Sequence, residues 1–235
     1  MTAAAQTRPR VAVRLGGQTD FDGWRIAARA LALEGMPAEA VGWVVEGTAS
    51  SDLFDAASPP AAAAPGGPVD TTFTVPRAFV ELAQAVICHV DPERFSLLYR
   101  VLTRLREEPH LMQIASDTDV RRLEAMAKSV RRDVHKMRAF VRFRRIGNGP
   151  EERHVAWFEP AHHIVERNAP FFVRRFTGIR WTILTPLATA DWDGERLAIG
   201  PGANKADAPA ADDAEDLWRT YFASIFNPAR LKVKA

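Results

Sequence analysis

The sequence predicts an α+β fold in which an antiparallel sheet packs with a cluster of helices. Three observations carry that expectation. A strand-helix-strand pattern opens the chain, helical periods fill its middle, and its last third alternates short strands with turn signals such as "GNGPEE" and Asp193-Gly194. This mixed order favours an antiparallel sheet over a doubly wound one. With 47% hydrophobic residues among 235, there is enough apolar material for a sizeable core.

The elements follow in order. Val11, Val13 and Leu15 alternate as in a half-buried strand, Gly16 and Gly17 permit a turn, and Asp20 or Asp22 is placed to cap a helix from Gly23 to about Leu33. Gly35 ends it, and Val41 to Val45 form a second strand. From Gly47 to Pro68 the composition shifts to Ala, Ser, Pro and Gly, which suits a linker or long loop. "VPRAFVELAQAVICHV" and "DPERFSLLYRVLTRLREEP" read as helices. A third helix, near whose start lie Asp117 and Asp119, places Val120, Leu123, Met126, Val130, Val134 and Met137 on one side.

After Met137 the period changes. In "AFVRFRRI", Val141 and Phe143 alternate with Arg142 and Arg144, so a strand is expected, hairpinned to "RHVAWFEP". A proline-started helix from about Ala161 to Phe176, the strand "IRWTILTP" and the hairpin "ADWDGERLAIG" come next. The last helix carries Leu217, Trp218, Tyr221, Phe222, Ile225 and Phe226, and "ARLKVKA" is read as a tail without regular structure. The resulting division is a strand-helix-strand module at 1–46, a linker or loop at 47–70, a main α+β domain at 71–227, and a tail at 228–235 leading toward a further domain.

Charge is segregated along this chain. The run from Arg121 to Arg145 holds ten Lys or Arg against Glu124 and Asp133, a net of about +8 in a chain whose total is +2. Arg131, Arg132, Lys136, Arg138, Arg142 and Arg144 are the candidates for contacts to a polyanion, because local clustering rather than bulk charge attracts phosphates. The plain alternative is a solvated helix face. Histidines make the second constellation: His135 sits on the basic face, and His162 and His163 follow Glu159 at the expected start of a helix. Adjacent histidines on a helix cannot both point one way, so His135, one of the pair and a carboxylate would suit acid-base or metal chemistry. Their spacing matches no ligand signature, so no metal and no cofactor is assigned, and hydrogen bonding or capping is the simpler role.

Other residues are read conservatively. Trp157, Phe158, Phe171, Phe172, Phe176 and Trp181 have the spacing of core positions, while Trp24 and Trp192, beside turns, are candidates for exposed stacking. A single cysteine, Cys88, excludes an internal disulfide and any site built from several thiolates. No run of about 18 apolar residues is present to span a bilayer as a helix, and a cytoplasmic location is expected.

Several stretches carry a resemblance: "TDFDGWRIAARAL", "DPERFSLLYRVLTRL", "VRRDVHKMRAFVRFR", "VAWFEPAHHIVERNAPFFVRRF", "RWTILTP" and "LWRTYFASIFNPARLKV". They resemble the DNA-metabolism domain of unknown function found fused ahead of UdgX-type uracil-DNA glycosylases, whose stand-alone relatives are associated with a radical-SAM protein of presumed DNA repair. The resemblance implies a DNA-binding accessory domain that assists a fused or associated uracil-DNA glycosylase, with DNA as its partner. The glycosylase's own cysteines and catalytic motifs are absent. Stand-alone members tend to have His-Phe where this chain has Pro170-Phe171, and Asp where it has Thr185. Two alternatives stay open: a metal-dependent hydrolase acting on nucleic acid, centred on His135, Glu159, His162 and His163, or a protein-interaction module.

Overall fold

At Val11 the chain enters a strand whose alternate residues turn inward, and from there the computed structural model describes residues 11–47, 74–147, 149, 152–207 and 232–234. The expected linker segment 48–70 and the expected helix around Trp218 lie outside the described residues. The chain forms two compact units, Met1–Ser129 and Val130–Ala235.

In the first unit, β1 (Val11–Leu15) pairs in parallel with β2 (Val41–Val45), Val11 opposite Val41 and Leu15 opposite Val45. Parallel pairing requires a crossover, which α1 (Phe21–Leu33) supplies. Asp20 is the cap: its carboxylate accepts from the main-chain N–H groups of Gly23 and Gly16, both at 2.9 Å. Gly35 ends the helix at φ +70°, a conformation that strains residues bearing a Cβ. Three helices follow: α2 (Arg77–Val86), α3 (Arg94–Arg104) and the beginning of α4 (Thr118–Phe140), where Asp117 caps by accepting from the N–H of Val120 at 2.9 Å.

The core of this unit corrects one expectation. Trp24 is 2% exposed, because Trp24, Ala28 and Ala32 form the inner face of α1; its Nε1–H donates to the Phe95 carbonyl at 3.3 Å. Trp24, Trp43 and Tyr99 then stand in a chain of ring contacts, 6.1 and 5.8 Å between centroids. Arg94 is also buried. Its guanidinium donates to the carbonyls of Ile87, Asp91 and Gln18, so the charge is solvated by main chain, and burial lowers its pKa to about 10.

The second unit is built on a six-stranded sheet in chain order: β3 (Arg144–Ile146), β4 (Arg153–Trp157), β5 (Trp181–Leu184), β6 (Thr189–Trp192), β7 (Leu197–Gly200) and β8 (Lys232–Lys234). Only β4 and β5 pair in parallel. Their connection contains α5 (Val165–Arg175), whose Phe172 lies 6.1 Å from Trp181; Phe143 and Phe176 complete the aromatic layer. The fold is α+β with a mostly antiparallel sheet. Among the described residues no helix is long and apolar enough to cross a membrane.

Three local expectations are corrected here. The strand expected in "AFVRFRRI" is short, since α4 runs to Phe140 and the Val141 N–H still bonds the Met137 carbonyl at 3.0 Å; only Arg144–Ile146 pair with β4. The helix expected from Ala161 begins at Val165, with Pro170 inside it. Residues 232–234 form β8 against β7, where a tail without regular structure is expected from sequence.

Candidate nucleic-acid interface

The second half of α4 holds its position through an inner side made of Val130 and Met137, both fully buried, with Val141 continuing it past the helix end. Asp133 belongs to the same side. It is 7% exposed, and its Oδ2 accepts the main-chain N–H of His162 at 3.0 Å. One of the two acidic residues in the basic run is therefore withdrawn from the surface.

Arg131, Arg132, His135 and Lys136 occupy the outer side and are exposed, as is Arg144 at the start of β3. Arg131, Arg132, Lys136 and Arg144 pair with no carboxylate among the described residues, whereas Arg122 is held by Asp91 at 3.0 Å and Glu93 at 2.6 Å, and Arg145 meets Glu152 at 3.7 Å. At about 1.5 Å per residue, Arg131 to Arg138 spans roughly 10 Å of helix. Such a row presents unneutralised cations at a spacing suited to a phosphate backbone.

Two further sequence candidates are engaged by the unit itself. Arg138 donates from Nε to Asn168 Oδ1 at 2.7 Å, and its guanidinium carbon lies 4.7 Å from the centre of the Phe171 ring. Asn168, fully buried on α5, also donates from Nδ2 to the Val134 carbonyl at 3.2 Å, so one side chain ties α5 to α4 twice. Arg142 donates to the carbonyls of Ala139 at 2.7 Å and Val141 at 3.0 Å, closing the end of α4.

The histidine constellation is divided between different environments. His135 is exposed on α4; His162 is 5% exposed, with its pKa lowered chiefly by burial and partly restored by Asp133. Glu159 is exposed, where it accepts from Trp157 Nε1 at 2.8 Å and pairs with Lys205 at 3.2 Å; the Trp157 hydrogen bond leads in holding its carboxyl below the ordinary value. No three His, Cys, Asp or Glu among the described residues are gathered as metal ligands.

A buried polar group that sequence reasoning did not single out lies on the sheet. Asp191 on β6 stands opposite Thr182 on β5 and accepts from Thr182 Oγ1 and from the Arg153 guanidinium of β4. Burial pushes the Asp191 carboxyl up, with Arg153 pulling the other way. The available signal was an acidic residue between Ala190 and Trp192 in a strand, in phase with Thr189. For Asn168 the signal was its position four residues before Phe172 on the inner stripe of α5.

The first unit contains a cavity of about 460 Å³, lined by Trp24, Phe79, Ala83 and Leu102 with Arg25 and Arg29. Its described walls carry no His, Cys, Asp or Glu.

No curated protein and no solved structure matches this chain. The family model of DUF4130, described as a domain of unknown function, matches residues 92–235. That span includes α3, α4 and the whole second unit, more than half of the sequence, and the chain belongs to the DUF4130 family.

Proposed function

We propose that the second unit binds nucleic acid by its phosphate backbone through the outer side of α4 and the start of β3. The observation that supports this is the set of four exposed cations, Arg131, Arg132, Lys136 and Arg144, that no carboxylate among the described residues neutralises. A solvated face with a structural purpose would be expected to pair its arginines, as Arg122 does with Asp91 and Glu93. Backbone contacts of this type carry no sequence information, so binding is to be insensitive to base order.

The resemblance of the chain to domains fused ahead of UdgX-type uracil-DNA glycosylases supports the finer reading. In it the protein is a cytoplasmic accessory of DNA repair that helps such a glycosylase engage DNA. Binding of a labelled oligodeoxynucleotide by the full chain, followed by fluorescence anisotropy, tests the proposal. Replacing Arg131, Arg132, Lys136 and Arg144 together by Glu is expected to abolish binding while the circular dichroism spectrum stays unchanged. Undiminished affinity in that folded variant would refute it.

A further inference from the structure

Phe140 ends α4 with 66% of its surface exposed, and it is the aromatic residue among the exposed large hydrophobics of the described chain. The others, Ile26, Val90, Ile114 and Leu187, are aliphatic. Scattered exposed apolar residues are ordinary, and exposure alone says nothing. The position of this ring is what matters.

Arg132, Lys136 and Phe140 are separated by four residues each, so on one helix they form a single row of neighbours, and all three are exposed. Two cations therefore lead directly to an aromatic ring. Phe143 and Phe172, close by in sequence or on α5, are absorbed into the aromatic layer with Trp181; Phe140 is not among those ring contacts. The ring has a free face beside groups suited to phosphates.

Resting on the phosphate-binding reading above, we infer that Phe140 is a base-stacking platform and that the α4 surface takes single-stranded nucleic acid. In a duplex the bases are stacked on one another, so a phenyl ring reaches a base face only at the cost of unstacking a step. In a single strand every base has an exposed π-face, and stacking on an aromatic side chain next to phosphate-binding cations is the general mode of sequence-tolerant recognition. The row supplies both parts: Arg132 and Lys136 for phosphates, Phe140 for the adjoining base.

Three probes separate the parts: a single-stranded oligodeoxynucleotide, its duplex, and an abasic strand of equal length that keeps phosphates and lacks bases. The full chain is expected to bind the single strand more tightly than the abasic strand. Phe140→Ala should weaken single-strand binding roughly 5- to 150-fold, leave the abasic strand unchanged, and lose the preference between them. Phe140→Trp should preserve it, whereas Phe140→Leu, apolar without a π-face, should behave like the alanine variant. Equal losses on all three probes, or no loss on any, would overturn the inference while leaving phosphate binding intact. Failure of the wild-type chain to bind any probe would overturn the phosphate-binding reading and this one with it.

Discussion

Asn168 offers the sharpest test of how the second unit holds its basic helix in place. Its amide accepts from Arg138 Nε at 2.7 Å and donates to the Val134 carbonyl at 3.2 Å, and the residue is fully buried. A hydrogen bond to a charged donor contributes about 1.5–3 kcal/mol and a neutral one about 0.5–1.5 kcal/mol. Because Arg138 is exposed and regains water when its partner is removed, the lower part of the combined range applies, and Asn168→Ala is expected to cost about 2–3 kcal/mol. Urea denaturation followed by both circular dichroism and tryptophan fluorescence measures this, provided the two transitions coincide. A double-mutant cycle with Arg138→Met isolates the shared bond, with an expected coupling of at least about 1 kcal/mol. Additivity within about 0.5 kcal/mol would show that the Asn168–Arg138 contact holds nothing, and the reasoning would fail.

Burial lowers the pKa of His162, so protonation favours the unfolded chain; its contribution is intact above about pH 6.5 and declines as pH falls through the folded pKa. Urea midpoints should therefore drop on acidification in the wild type and less so in His162→Gln; equal pH dependence in both would contradict this. Arg153→Met strands the buried Asp191 carboxylate and should destabilise the second unit by about 3–5 kcal/mol, much of which Asp191→Leu in the same chain should restore. A double variant no more stable than Arg153→Met by denaturation would count against the pair as described. A Cβ on Gly202 would fall 2.0 Å from the Pro186 carbonyl oxygen, so Gly202→Ala should lower stability by about 1–3 kcal/mol, whereas Gly178→Ala, with nothing within 4 Å, should be nearly neutral.

Much of this architecture is legible in the sequence for identifiable reasons. Leu15 and the Asp193-Gly194 hairpin announce themselves by alternation and turn chemistry, Val41 to Val45 by a short apolar run, and α4 by an inner stripe from Val120 to Met137. "AFVRFRRI" misleads because a helix end that turns Val141 and the half-buried Phe143 inward in succession has the same alternation as a strand; the decisive hydrogen bond, Val141 to Met137, is invisible to periodicity over so few residues. Trp24 misleads because proximity to a turn suggests exposure, while Ala28 and Ala32 behind it mark a buried face.

At the candidate site the composition reveals the cations but not their obligations. Which arginines serve the fold, as Arg138 does with Asn168 and Arg142 with the end of α4, depends on residues 30 positions away or on where the helix stops. The same is true of Asp133, which enters the sequence only as one of two acidic charges in the basic run and lies inside against the His162 main chain. Long-range partners of this kind leave no local pattern.

The most direct test of phosphate binding by α4 is the salt dependence of affinity for an oligodeoxynucleotide. Each phosphate neutralised on a single strand contributes about −0.7 to the slope of log K against log salt. Contacts from Arg131, Arg132, Lys136 and Arg144 predict a slope near −3, reduced by roughly 0.7 with each of these residues replaced by Ala. A slope near zero, or one that stays unchanged across the four alanine variants, would contradict the assignment.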